Sequence, residues 1–396
     1  MLCVRFGNAT NMFFKDDYSV IMRTFWPVSP VVGEGVLRVC EELSKNKNVS
    51  VILQDQAGIK AALQKNARGA AVKFIPILSL TTSSSGMVLR VIDLLWFTFA
   101  SIFALLLRRP RIVYVSTDPP LLVPFIVMVY CWLTSARYVY HVQDIHPEAT
   151  SIVFKLPKLM TALLVKVDAL VVRRATMVIT LTDDMVKSLQ SRNGHTREFQ
   201  LIQNPAADLP HSSEEVTHFD YSFVGNAGRL QRIELLIEAI SLYLSNGGRS
   251  TFVFAGAGVN ANSLTYLSNQ YPCCVKYLGK VTVDKASEIT QSSTWAMLPI
   301  DDDVCRYAFP SKASTYAVSN AAILAICDSQ TSVAKWINNH NLGVIVRPQV
   351  EALVSFFDSV EAGLIEPVAS GTNPGLQEAF SEETFVTKLY SLLNDI

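Results

Sequence analysis

The chain has 396 residues, of which 50% are hydrophobic and 17% charged. That is enough apolar material for more than one sizeable core, and it excludes a disordered or fibrous protein. Lysine plus arginine equals aspartate plus glutamate at 34 each, so no global field draws the protein to nucleic acid or anionic lipid, and any basic site must be local.

At roughly 150 residues per domain, two domains are expected. The seven cysteines are scattered, and the adjacent Cys273 and Cys274 have neither metal-ligand spacing nor a redox-pair pattern. An odd, unpatterned count fits a reducing compartment. The segment "MLCVRFGNATNMFFKDDYSV" lacks the basic, apolar and cleavage regions of a secretory signal, so a cytoplasmic address is expected.

Short β-rich runs alternate with helix-length segments along the chain. "SVIMRTF" (19–25) is predicted as a first strand, followed by a Pro/Gly loop and the amphipathic helix of "WPVSPVVGEGVLRVCEELSKN". "VSVILQ" (49–54), "RIVYVST" (111–117), "RYVYHVQ" (137–143) and "MVITLT" (177–182) read as buried parallel strands. Between them lie two very apolar stretches, 91–107 and the uncharged 119–136. Both approach the length of a membrane span, but the first contains Asp93 and the second Pro124. Their place in a strand–helix rhythm favours buried or membrane-touching helices, and "RVIDLLWFTFASIFALLLRRPR" joins a Trp/Phe-rich face to a basic end, as interfacial helices do.

The polar stretch "NPAADLPHSSEEVTHFD" (204–220) reads as a linker. The pattern then restarts with "YSFVGN" (221–226), "STFVFAG" (250–256), "CVKYLG" (274–279), "TWAMLPI" (294–300), "AILAIC" (322–327) and "GVIVRP" (343–348). The closing "SEETFVTKLYSLLNDI" is an amphipathic helix with an imperfect capping box at Ser381. The expected fold is α/β, with two doubly wound Rossmann-like domains, 1–205 and 206–380, facing across a cleft, and a helix, 381–396, that can pack back on the first.

In such folds ligands sit beyond the carboxyl ends of the strands. "HVQDIHPEA" (141–149) ends a strand with His141, Asp144, His146 and Glu148; these are a reaction centre or merely the solvated end of a strand. "FVGNAGRLQRIELLIEAI" is strand, glycine loop, then helix, an arrangement that aims backbone N–H groups at a phosphate. Gly225 and Gly228 permit close approach, and Arg229 and Arg232 can neutralise a diphosphate, although a turn with solvated arginines explains them equally well. Gly256 and Gly258 in "FAGAG" are similarly a ligand turn or a plain strand end.

The succession "VGNAGRLQRIELLIEA", "FVFAGAG", "VKYLGK", "WAMLPI", "YAFPSKASTYAVSNAAILAI" and "NNHNLGVIVRP" resembles the C-terminal domain of the retaining GT-B glycosyltransferases of family four. The similarity is greatest to the bacterial O-antigen and capsule branch that includes N-acetyl-L-fucosamine transferases. In the first half, "PVVGEGVLRVCEEL", "VQDIHPE" and "LIQNPAAD" resemble that family's glycine loop, acceptor-side strand end and interdomain segment, so the resemblance runs over residues 19–390.

What the resemblance implies is a nucleotide-sugar donor, UDP-linked and of deoxy-amino type, held by the second domain. A polyprenyl-linked saccharide acceptor is held by the first, and transfer occurs with retention in O-antigen, capsule or lipopolysaccharide synthesis. It implies no cofactor and no metal, a protein peripheral to the inner face of the plasma membrane, and no nucleic-acid partner. Gly33 and Gly35 are then expected beside the diphosphate, with Gly225, Asn226, Arg229, Arg232, Gly256, Gly258, Leu278, Gly279, Ser311, Lys312 and Thr315 on the donor, and Asp144, His146 and Glu148 orienting or deprotonating an acceptor hydroxyl. His141, inside the strand, is expected to be structural.

The sequence departs from the family pattern in three places. Asn226 and Gln231 stand where an Arg and a Lys are usual, Tyr307 and Thr315 where two glutamates are, and Asn320-Ala321-Ala322 replaces a small-Gly-x-Pro turn. Either "PSK", with Ser311 and Lys312, reads the donor differently, or the protein is an inactive relative. A non-hydrolysing sugar-nucleotide epimerase and a non-catalytic scaffold of the same fold are the competing readings, and an integral membrane protein a fourth.

Overall fold

The computed structural model describes residues 13–81, 85–153, 156–193, 198–207, 217–228, 231–368 and 373–396. The chain divides into two compact units. The first comprises Met1–Ser151, Lys155–Gln203 and Glu383–Ile396, and the second Ile152–Phe154 with Asn204–Glu382. Most of the stretch read as a linker lies outside the described residues.

The first unit is built on a seven-stranded sheet of β1 (Asp16–Ile21), β2 (Val49–Asp55), β3 (Lys73–Leu78), β4 (Pro110–Ser116), β5 (Arg137–His141), β6 (Met177–Thr180) and β7 (Phe199–Leu201). Every pairing is parallel, in the order β3-β2-β1-β4-β5-β6-β7. The strands read as continuous apolar runs because helices cover both faces. β1 begins earlier than its apolar pattern predicts, since Arg108 pairs with the fully buried Asp16 carboxylate and allows an acid at the strand start. β3 was not legible as a strand. It carries Pro76, which an edge position tolerates.

The second unit repeats the plan with β8 (Phe219–Val224), β9 (Phe252–Ala255), β10 (Val275–Tyr277), β11 (Ser293–Pro299), β12 (Ala322–Ile326) and β13 (Gly343–Val346). They form a parallel six-stranded sheet in the order β10-β9-β8-β11-β12-β13. Its core is aromatic: Tyr221 stacks on Phe252 at 4.9 Å between ring centres, and Phe357 meets both edge-on. Each sheet reverses its winding at a switch point, between β1 and β4 in one unit and between β8 and β11 in the other.

The helix Met87–Arg108 is apolar and long enough to cross a membrane by length and composition alone. One of its faces is committed to the protein, with Asp93, Phe97, Ser101 and Leu105 buried. Asp93 is paired with Arg23 at 2.6 Å and accepts from Gln54 and from the Leu80 amide. The chain's last helix, Glu382–Asn394, buries Phe385, Leu389 and Leu393 in the core of the first unit.

Candidate functional site

In the second unit the turn after β8 crosses the switch point. Gly225 (φ +140°) donates to the Ala255 carbonyl, and the Ala227 amide donates to Ala257, which knits this turn to the one after β9. The two turns approach so closely that only bare backbone fits. A Cβ on Gly256 (φ +135°) would lie 1.9 Å from the Gly225 oxygen, and one on Gly258 would lie 2.3 Å from that of Ala227. Gly256 in turn donates to Gly279, whose φ of +64° is left-handed with open space around it. Leu278 is half-buried and packs with Val253, Ala255 and Ile289; Asn226 is exposed.

Beneath Gly225 lies Lys312. A Cβ at residue 225 would come within 2.7 Å of its Nζ, which sits 4.1 Å from the centre of the Phe223 ring and 3.4 Å from Gln231 Oε1. Burial pushes this lysine down to about 7. Ser311, its neighbour, is exposed. Gln231 therefore has a lysine from another element against it.

Two of the residues expected on the donor already have protein partners. Arg232, at φ +43° before the helix Ile233–Ser245, donates through Nε to the Ile300 carbonyl and pairs with Asp302 at 2.8 Å and Asp301 at 3.7 Å. Its charge is already balanced by two carboxylates, so it fastens the switch point instead of standing ready for an anion. Thr315 Oγ1 accepts from the Ala207 amide at 2.9 Å and anchors the chain's entry into the second unit. Arg229 lies outside the described residues. Tyr307 is half-buried, and its amide donates to Val304.

The N-terminal glycines also serve a different purpose. Gly33 and Gly35 are buried inside the helix Val32–Ser44. A Cβ on Gly33 would meet the Trp26 nitrogen at 2.7 Å, and one on Gly35 the Phe385 ring at the same distance. Both admit close approach by the protein itself, which is a packing role.

At the first unit's switch point, Asp118 after β4 accepts from the amides of Arg23 and Thr24 after β1, through its carbonyl and its carboxylate respectively. Thr117 Oγ1 accepts from the Gln143 and Asp144 amides at 3.1 and 3.3 Å and fixes the loop after β5. Among the described residues nothing donates to the Asp144 carboxylate. Burial, reinforced by the charge of Asp118, raises it to about 6. His141 is fully buried between Tyr114 Oη and Gln143, and burial holds it near 3, so it is neutral and structural.

His146 Nδ1 lies 2.8 Å from Thr150 Oγ1, and burial together with nearby Arg192 lowers it to about 4. It can therefore accept or relay a proton but carries no charge at neutral pH. Glu148 already has a partner. It is paired with Arg192, which also binds Asp168 at 2.7 Å and the His146 carbonyl at 3.2 Å, so it holds the loop. Sequence reasoning missed Thr117, Asp118, Asp301 and Asp302; "STDPP" after β4 and "PIDDD" after β11 were the signals, each an acid directly beyond a buried strand. Among the described residues no three His, Cys, Asp or Glu side chains are placed to hold a metal ion.

No family model matches the chain. It is 22% identical over 311 residues, 73% of the chain and 76% of the relative, to the probable glycosyltransferase WbjE of Pseudomonas aeruginosa. It superposes on Anabaena Alr3699/HepE in complex with UDP with a TM-score of 0.67 at 12% identity, covering 96% of this chain and 100% of that one. The fold is that of GT-B glycosyltransferases. Sucrose-phosphate synthase from Thermosynechococcus elongatus shares it as well, at a TM-score of 0.65 and 13% identity over 96% and 98% of the two chains. The two structural likenesses each extend over 96% of this chain.

Proposed function

We propose that this chain is a retaining glycosyltransferase that moves a sugar from a UDP-linked donor, of deoxy-amino type, to a polyprenyl-linked saccharide in bacterial surface polysaccharide synthesis. The observation that carries the reading is the bare-backbone turn of Gly225, Gly256 and Gly258 over the ammonium of Lys312, at the switch point of a sheet that winds as nucleotide-binding sheets do. The turn gives a diphosphate room to approach backbone amides, and Lys312 supplies the cation that Gln231 does not. The relative's name and the UDP in the Anabaena structure support the same choice.

In the reaction the acceptor oxygen bonds to the anomeric carbon as the bond from that carbon to the diphosphate breaks. The hydroxyl proton passes to the departing phosphate or to Asp144, and the products are the glycoside and the nucleoside diphosphate. Asp144 orients the hydroxyl, and His146 is the second polar group on that loop. No metal or cofactor is required by this scheme, and the enzyme works at the inner face of the cytoplasmic membrane.

The experiment that tests the reading is calorimetric titration of the purified chain with UDP and GDP, alongside Lys312→Ala. Binding of UDP in the micromolar range, weakened at least about tenfold by the substitution, is the expected result. Failure of both nucleotides to bind would replace the transferase by a non-catalytic scaffold, and release of an epimerised nucleotide sugar without any acceptor would replace it by an epimerase.

A further inference from the structure

Three helices lie side by side against the sheet of the first unit: Met87–Arg108, Leu122–Thr134 and Lys158–Arg174. Their outer surfaces are apolar to an unusual degree. Phe99 and Phe103 are 66% and 65% exposed, Trp132 and Leu133 69% and 70%, and Leu159 and Leu163 86% and 61%. On the first helix, Val88, Ile92, Leu95, Phe99, Phe103 and Leu106 recur at helical spacing as one outward stripe, opposite the buried stripe that carries Asp93. Exposed apolar side chains thus run over three neighbouring helices, and large uncovered apolar surface marks an interaction site.

The charges on this layer decide what covers it. The only acids in the three helices are Asp93 and Asp168, and both are turned inward onto Arg23 and Arg192. The exposed ionisable groups are all basic: Arg90, Lys158, Lys166, Arg173 and Arg174. The whole chain is neutral, so this is a local separation of charge. Arg174 stands at the rim of an apolar hollow of 370 Å³ between the second and third helices, and a second hollow of 620 Å³ runs between β3 and the first helix beside Trp96. Aromatic side chains, acyl-sized hollows and a purely cationic rim match the three layers of a bilayer surface.

We infer that this three-helix layer is a docking face for an anionic phospholipid bilayer, on which the protein lies without crossing. A span is ruled out by the inner stripe, because removing the first helix from the sheet would strip Asp93 of Arg23, Gln54 and the Leu80 amide. The inference rests on the proposed work at a membrane surface, and it names the face and the lipid class.

The test is co-sedimentation of the full chain with vesicles of phosphatidylcholine, with and without phosphatidylglycerol, while UDP binding is titrated on the same preparations. Binding to the anionic vesicles is expected, weaker by about tenfold or more without phosphatidylglycerol, in high salt, or in Lys166→Gln/Arg173→Gln/Arg174→Gln. Two separate outward pairs, Phe99→Asp/Phe103→Asp and Trp132→Asp/Leu133→Asp, are each expected to abolish it and keep the wild-type UDP affinity. No wild-type binding, or binding unchanged in both pairs, overturns the inference. So does a dimer dissolved by Phe99→Asp/Phe103→Asp without vesicle binding, which would assign the face to a second copy, as does a membrane fraction that resists carbonate. A chain that binds vesicles but no nucleotide would sink the transferase reading and leave the docking face intact.

Discussion

The ammonium of Lys312 lies 4.1 Å from the centre of the Phe223 ring, under a glycine whose φ of +140° would strain any side chain. The ring favours the cation, but burial wins and brings the group down to about 7. An arriving diphosphate favours the charged form, so binding takes up a proton whenever the empty site has lost one. UDP affinity should therefore be flat below pH 7 and fall as pH rises above it, by up to about tenfold per unit. Lys312→Arg should remove the slope, since a guanidinium stays charged. Isothermal titration in buffers of different ionisation enthalpy reads both effects; a flat wild-type profile from neutral pH to pH 9 would contradict them. In the unliganded protein the sign is reversed, because the unfolded chain binds the extra proton between about 7 and 10.5 and stability from this group rises with pH across that window.

Two glycines with positive φ separate crowding from conformation. Gly279→Ala meets only the left-handed penalty of about 1–2 kcal/mol, because nothing lies near its Cβ. Gly256→Ala adds a collision with the Gly225 oxygen and should cost more, about 3 kcal/mol or above. Melting temperatures should rank wild type above Gly279→Ala and Gly279→Ala above Gly256→Ala, and equal losses would mean that the two turns are not in contact.

Gly35 offers a double-mutant cycle. Alanine in place of glycine inside a helix normally gains about 0.5–1 kcal/mol, but here the new methyl would press on the buried Phe385 ring. Gly35→Ala should destabilise the wild type and become neutral or stabilising in a Phe385→Leu background, with a coupling of about 1 kcal/mol by denaturant unfolding. UDP affinity should be unchanged throughout; a loss would restore Gly35 to the donor site.

Asp144 and Glu148 are separated by four positions but should behave oppositely. Asp144→Asn should lower turnover of the donor selected by the nucleotide titration by about 100-fold or more without loss of stability. The wild-type rate should fall below about pH 6 as that carboxylate takes up its proton. Glu148→Gln removes one of two carboxylates on Arg192, costs about 1–3 kcal/mol, and should leave turnover of the folded enzyme nearly intact. Equal activity losses would return Glu148 to the reaction.

The sheets were legible in the sequence because buried parallel strands are written as apolar runs with turn residues after them. β3 escaped because Pro76 interrupts its apolar run, and β7 because it is three residues with a central glutamine. The turns at strand ends that carry Asp144, Gly225 and Gly256 were legible for the same reason. Partners were not. Whether an arginine is free or bound depends on residues far along the chain: Arg232 on Asp302, and Arg192 on Glu148 and Asp168. The glycines of "VGEGV" look like a phosphate loop in one dimension, and only the approach of Phe385 reveals a helix contact.

The helix Glu382–Asn394 completes the core of the unit that the chain begins with, supplying Phe385, Leu389 and Leu393 against residues made hundreds of positions earlier. During synthesis the first unit must therefore wait, its apolar groove unfilled, while the ribosome makes the whole of the second. The late unit can close on itself as it emerges; the early one is finished last. That order puts a chaperone's opportunity, and the hazard of aggregation, on the first unit.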